Sequence, residues 1–258
     1  MPTVTLLAKA YNNFQLKLVG KFLKSKLEGL KTETKICGVT SRGWVQIAIS
    51  GEDENTALHY LADEIGLCPT SLKDLGKFSV IKGRITALNK SKDKLYVDIG
   101  VYSPNIVDAA IPLQHLQAQL ADGRKTALKK LVELFGFNEN LPLYIKIRNI
   151  DERKGYIEAM LAEKQLKQYR EWAKSLLDRL IILGATHQEV KFALKTAKCN
   201  RDVVYIEPLG IFEHAVACKL GTDATGLIPK VGKNLRHATF SVFNPREILR
   251  FPGEYFIS

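Results

Sequence analysis

The residues of this chain best suited to chemistry are cations. Between positions 77 and 94 stand Lys77, Lys82, Arg84, Lys90, Lys92 and Lys94 against a single acid, Asp93, and Tyr96 follows two positions later. Closely spaced cationic groups suit a polyanion, because their charges meet its phosphates. Two further basic runs exist: Arg124, Lys125, Lys129 and Lys130, and then Lys230, Lys233, Arg236 and His237. Over 258 residues the formal net charge is +11 and the isoelectric point is near 9.4. Such an excess raises encounter rates with polyanions and says nothing about sequence preference. A plain solvated surface is the competing explanation, and clustering is what favours RNA over it.

Catalytic chemistry has no comparable signature. His59, His115, His187, His214 and His237 are isolated, without the H-x-x-x-H or H-E-x-x-H spacing of metalloenzymes. No serine stands in G-x-S-x-G, and Glu52 with Glu54 or Glu163 with Glu171 read as helix caps and solvated faces. Gly221 and Gly226 in G-T-D-A-T-G approach a phosphate loop, but Leu227 and Ile228 replace the Lys-Ser/Thr that should follow, so a tight turn is expected. Cys37, Cys68, Cys199 and Cys218 are widely spaced and read as reduced, buried thiols of a cytosolic protein. The expectation is a non-enzymatic protein with no cofactor and no metal.

The elements that must position these groups begin with residues 76–116, which read as three strands. They are Val80–Ile85 interrupted by Gly83, Leu95–Ile99 after a lysine-rich turn, and a third strand ending at Pro112. Period-two alternation puts Leu95, Val97 and Ile99 on one face and Lys94, Tyr96 and Asp98 on the other. Helical stretches Leu113–Leu120 and Lys125–Phe135 follow as an insertion, then a hairpin of Leu143–Ile150 and Gly155–Met160, closing a barrel near residue 162. The order G-x-I/V strand, aromatic-Val-Asp-Ile-Gly, small-residue loop and A-A-I-P-L-x-x-L resembles the RNA-binding OB-fold module of the ribosomal protein S-one type. That resemblance implies Tyr96 as a base-stacking residue, with basic side chains tracking the backbone. The third-strand aromatic and histidine of that family are replaced by Val107, Asp108 and Ala109. The replacement shifts weight towards phosphate contacts or a protein partner.

The N-terminal region reads β-α-β-β-α: strand Val4–Ala8, helix Phe14–Leu30, strands Thr34–Val39 and Trp44–Ser50, and a helix from Glu52 to Ile65. The segment Gly66–Gly76 reads as a boundary. Glu163–Ile182 reads as one long amphipathic helix with Tyr169 and Trp172 in its buried stripe, and His187–Lys198 as another carrying Lys191, Lys195 and Lys198. Residues 213–235 echo the barrel: strand, glycine, polar loop, strand, Ile-Pro. The expected fold class is therefore α+β and multi-module: a two-layer α/β domain over 1–72, an OB-fold barrel with a helical insertion over 76–162, a helical linker over 163–200 and a small β module over 201–258.

The stretch V-Y-I-E-P-L-G-I-F-E-H-A-V-A-C-K-L-G-T-D-A-T-G-L-I-P-K, with the barrel before it, resembles an archaeal protein family of unknown function. The assembly of modules also resembles the alpha subunit of translation initiation factor two with the order of parts changed. No apolar run approaches the ~20 residues that span a bilayer, and MPTVTLLAKAY reads as a first strand rather than a secretory leader. The expected function is cytoplasmic RNA binding on the ribosome or a ribosomal subunit, with ribosomal RNA and ribosomal proteins as partners, in translation, hibernation or assembly. The alternative is a protein-interaction factor of the transcription or RNA-processing machinery.

Overall fold

The structure is a computed structural model that describes residues 3–251. It divides into two compact units: one runs to Gly76 and includes Ile99–Asp108, and the other comprises Lys77–Asp98 and the chain from Ala109 onward.

The first unit holds β1 (Thr3–Lys9), α1 (Asn13–Lys26), β2 (Thr32–Val39), β3 (Trp44–Gly51) and α2 (Glu54–Glu64). Its sheet is antiparallel in the order β1-β3-β2. The central strand β3 has neighbours on both sides, and Val45, Ile47 and Ile49 are fully buried there. Asn12 opens α1 by accepting the Gln15 N–H at 2.8 Å, which satisfies one of the first orphan donors. The helix stops at Lys26, short of the expected Leu30. Residues 99–108 join this unit through local bonds: the N–H groups of Tyr102 and Ser103 donate to the Thr70 carbonyl at 3.1 and 3.0 Å, and Arg42 pairs with Asp108 at 3.3 Å. Gly100, at φ +85°, passes so close to Cys68 that a Cβ would lie 2.5 Å from its Sγ. Only glycine fits that approach.

The second unit begins with a closed five-stranded barrel built from β4 (Val80–Thr86), β5 (Lys94–Asp98), β6 (Ala109–Pro112), β7 (Pro142–Asp151) and β8 (Tyr156–Leu161). The strand order is β4-β5-β6-β8-β7, with α3 (Leu113–Leu120) and α4 (Leu128–Leu134) between β6 and β7. Closure removes every free strand edge. The alternating apolar residues Ile85, Leu95, Val97, Ile111, Leu143, Ile145, Ile147 and Ile157 fill the interior, each at most 1% exposed. Burying each such side chain contributes roughly 1.5–3 kcal/mol.

Beyond the barrel the structure corrects two expectations. The helix α5 covers Glu163–Lys174 only, and Arg179–Leu183 is a strand, β9, buried along its whole length. A short apolar run buried on both faces has no alternation, so its period does not separate strand from helix. Residues 163–200 are therefore not a helical linker. β9 is an inner strand of an antiparallel sheet ordered β10-β11-β9-β12, with α6 (His187–Thr196), β10 (Val203–Pro208), β11 (Glu213–Cys218), α7 (Ala224–Gly232), β12 (Thr239–Phe243) and α8 (Pro245–Arg250) completing the module. The second correction concerns the apparent echo of the barrel. After β11 the chain turns at Gly221 and forms α7, capped by Asp223, which accepts the Thr225 N–H at 2.9 Å. Ala224, Leu227 and Val231 recur at helical spacing and are buried, while Gly226 and Pro229 sit on the exposed side. The expected tight turn thus ends before Gly226, and the second strand expected to lead into Ile228 and Pro229 is helix instead.

One core of this module joins Leu180, Ile182, Val190, Leu194, Val216, Leu227 and Val231. The aromatic residues Phe135, Tyr169, Trp172 and Phe243 form another, with Trp172 and Phe243 centroids 5.1 Å apart and Phe135 and Tyr169 at 5.3 Å. Tyr169 and Trp172 are thus core residues, as their spacing beside leucines predicts.

Candidate nucleic-acid interface

Alternation that fills the barrel also decides what it shows outside. Lys82 and Arg84 leave β4 outward, Lys94 and Tyr96 leave β5, Tyr144 and Lys146 leave β7, and Tyr156 leaves β8. Four outer rings carry lysine ammonium groups over their faces. Lys90, in the β4–β5 turn, lies 4.8 Å from the Tyr96 centroid, and Lys94 lies 5.1 Å from Tyr156. Phe78 has Lys77 at 5.4 Å and Lys146 at 5.8 Å. Tyr144 has Lys164 at 4.2 Å and Lys82 at 5.4 Å. All lie within the distance at which a cation is drawn to the ring quadrupole.

Phe78 is unusual among these. It adopts φ +68°, a region that disfavours residues with a Cβ, yet its ring is 55% exposed. Its N–H donates to the Ile147 carbonyl at 2.9 Å, which holds the backbone in place. A conformation of this kind costs on the order of 1–3 kcal/mol and persists where the surrounding structure over-determines it.

Of the sequence-derived candidates, Lys77, Lys90, Lys94 and Tyr96 come together in these ring–cation pairs, and Lys92 is exposed in the same turn as Lys90. Lys82 is half-buried, with its Nζ donating to the Leu209 carbonyl. Burial, and then the neighbouring Arg84, push its pKa down to about 8. Arg84 departs from its expected role, and the structure corrects it. It is 2% exposed and pairs with the fully buried Glu213 at 2.9 Å, so its charge is spent inside the protein. Gly210 makes room for this pair, since a Cβ there would lie 2.0 Å from the Glu213 carboxylate.

Arg124 and Lys125 stand in the exposed connection between α3 and α4, where Arg124 donates to the Phe251 carbonyl at 3.1 Å. Lys230, Lys233 and Arg236 are exposed on and just after α7. These groups occupy elements other than the barrel strands. Phe78, Tyr144, Tyr156, Lys146 and Lys164 are members of the surface that the sequence motifs did not single out. For Tyr144 and Lys146 the signal was present: Leu143, Ile145 and Ile147 alternate inward and leave them outside.

Among the described residues, no three or more His, Cys, Asp or Glu side chains are grouped to hold a metal ion. Cys37 is exposed on β2, contrary to the expectation that all four thiols are buried, whereas Cys68, Cys199 and Cys218 are buried. Burial raises the Cys218 thiol to about 11 and suppresses its thiolate. Among the described residues, no helix is long and apolar enough to cross a membrane.

Comparison with known proteins gives a family and weak structural likenesses. Models of the DUF2110 N-terminal, central and C-terminal domains match residues 3–71, 76–173 and 177–243. No curated protein matches the sequence. Among solved structures, the chain is similar to one from Pyrococcus horikoshii OT3 described as an a/eIF2alpha-aDim2p-rRNA complex, at 13% identity, with a TM-score of 0.27 over 50% of this chain and 70% of that one. It is also similar to the intact alpha subunit of aIF2 from Pyrococcus abyssi, at 9% identity, with a TM-score of 0.26 over 65% of this chain and 96% of that one.

Proposed function

We propose that this chain, which belongs to the DUF2110 family, is a non-enzymatic, cytoplasmic RNA-binding protein that docks on structured RNA of the ribosome. The barrel order β4-β5-β6-β8-β7, with helices between its third and fourth strands, supports the OB-fold reading and the S-one-type resemblance. The observation that carries the proposal is the set of ring–lysine pairs at Phe78, Tyr96 and Tyr156. An arriving base stacks on the ring, and the displaced ammonium group turns to the adjacent phosphate. Base stacking on such rings is worth roughly 1–3 kcal/mol per base. Ribosomal RNA and ribosomal proteins are the partners this reading names.

Fluorescence anisotropy of a labelled RNA stem-loop, titrated with the full chain over a range of salt, tests it. The expected affinity falls linearly in log K against log salt, as counterion release requires. Absence of binding at low salt would reject the proposal. Sucrose-gradient co-migration with a ribosomal subunit, abolished at high salt, tests the ribosomal part.

A second reading has its own observation. Phe192 on α6 and Val204 and Tyr205 on β10 are 67%, 52% and 45% exposed, and β10 is an edge strand. Exposed apolar residues beside an open edge fit a protein partner. A salt-resistant complex with protein and without RNA would select this alternative.

A further inference from the structure

A cleft of about 400 Å³ opens between the barrel and α5, lined by Lys82, Tyr144, Lys164, Lys167, Gln168 and Leu209 among others. Its volume lies within the roughly 300–1,000 Å³ of small-molecule sites. We propose that this cleft binds a nucleoside phosphate through its monoester phosphate group, as a free nucleotide or as the phosphorylated end of an RNA strand. The site is separate from the Tyr96 and Tyr156 surface.

Charge selects the ligand class. Lys82, Lys164 and Lys167 line the cleft against one acid, Glu171, which already lies 4.0 Å from Lys167. Three cations and one anion leave two positive charges, which match a monoester phosphate near −2 rather than an internal diester at −1. Among the described residues, neither Lys82 nor Lys164 has a carboxylate within ion-pair distance. The guanidinium of Arg84, next to Lys82 on the same face of β4, is engaged by Glu213 at 2.9 Å and leaves Lys82 to the ligand.

The walls are fixed before a ligand arrives. Gln165 Oε1 accepts the Tyr144 N–H at 3.0 Å, Gln165 Nε2 donates to Gln168 at 2.9 Å, and Gln168 Nε2 donates to Glu207 at 2.9 Å. Glu207 also accepts from Trp172 Nε1 at 3.0 Å, which ties the chain of amides to the aromatic core. Pro142, Tyr144 and Pro208 add apolar surface for a ribose or base. Lys82, held by the Leu209 carbonyl and short of full protonation near pH 8, gains a proton when a dianion arrives. Arg84, Lys164 and Glu213 are the charges that act on it.

Isothermal titration of the full chain at pH 8 with AMP, adenosine and inorganic phosphate tests the site. AMP is expected to bind at least tenfold tighter than adenosine, with a heat that changes with the ionisation enthalpy of the buffer because Lys82 takes up a proton. Lys164→Glu, on an exposed side chain, weakens AMP at least tenfold at unchanged Tm; Lys82→Met removes the buffer dependence. A pair of RNAs differing only in a 5′-phosphate separates the two sources: a preference for the phosphorylated strand over AMP points to a strand end, and equal competition by AMP points to a free nucleotide. AMP binding no tighter than adenosine, or unchanged in Lys164→Glu, overturns the proposal. RNA affinity that falls in Tyr96→Ala while AMP affinity is kept in the same variant separates this site from the barrel surface.

Discussion

Arg84 on β4 and Glu213 on β11 form an ion pair at 2.9 Å between the barrel and the C-terminal sheet, with neither side chain more than 2% exposed. Two charges removed from water hold together only while both are present, because either one alone is left unsolvated. The turn through Leu209 and Gly210 fixes the backbone of Glu213 for this pair: both N–H groups donate to the Glu213 carbonyl, at 2.8 and 3.0 Å. A residue that local sequence places among RNA-binding cations is thereby a tie between modules.

Removing one partner therefore destabilises the second unit. Glu213→Gln or Arg84→Met is expected to lower unfolding free energy by about 3–5 kcal/mol in urea titrations, and Arg84→Met with Glu213→Leu to recover most of that loss. RNA affinity of the folded double variant equal to wild type would confirm that Arg84 carries no phosphate contact.

Tyr96 tests the stacking surface. Tyr96→Ala is expected to weaken RNA binding by about 1–3 kcal/mol, or some five- to 150-fold in Kd, with the salt dependence preserved. Lys90→Glu and Lys94→Glu are expected to do the opposite to the salt series, lowering its slope by roughly one for each phosphate no longer neutralised. Anisotropy titrations at several salt concentrations distinguish the two effects.

Phe78 separates function from stability. Phe78→Gly removes an exposed ring and also relieves a φ of +68°. Stability is expected to stay within about 1 kcal/mol of wild type, since relief of the left-handed backbone offsets the added freedom of the unfolded chain. RNA affinity is expected to fall. A thermal melt and an RNA titration on the same preparation check both.

His214 gives the fold a pH dependence. It lies on β11, 1% exposed, with the His187 ring 5.5 Å away. Burial first, and then His187, lower its pKa to about 4. Below about pH 6.5 the unfolded chain takes up a proton that the folded one refuses until near pH 4, so stability falls as pH drops through that window. The loss is on the order of 3 kcal/mol across it. His187, itself lowered by burial and by Lys191, adds to the loss in the same direction. His214→Gln is expected to flatten urea midpoints measured between pH 4 and 7.

Much of this architecture is legible in the chain because alternation is a local signal. The barrel strands, the hairpin between β7 and β8, and helix α3 with its bounds Leu113–Leu120 all follow from period and turn residues. The failures share a physical origin. Arg179–Leu183 is apolar after its first residue, so nothing in its pattern distinguishes an inner strand from the end of a helix. Ala224–Gly232 contains Gly226 and Pro229, both poor helix residues, and it is the burial of Ala224, Leu227 and Val231 that overrides them. The site divides in the same way. Tyr96 and Lys94 are readable from alternation within β5, whereas the fate of Arg84 depends on Glu213, 129 positions further along. Lys164 meets Tyr144 only because α5 starts where β8 ends.

The lysines that cap the barrel's rings bear on how the protein behaves at high concentration. An uncovered Phe78 would be a sticky point at which two copies could adhere, and an ammonium group over each ring keeps a hydrated charge where another ring would settle. The same like-signed groups repel a second copy while attracting a polyanion. Solubility and readiness for a ligand thus come from one set of side chains, and a variant that strips the lysines is expected to lose both together.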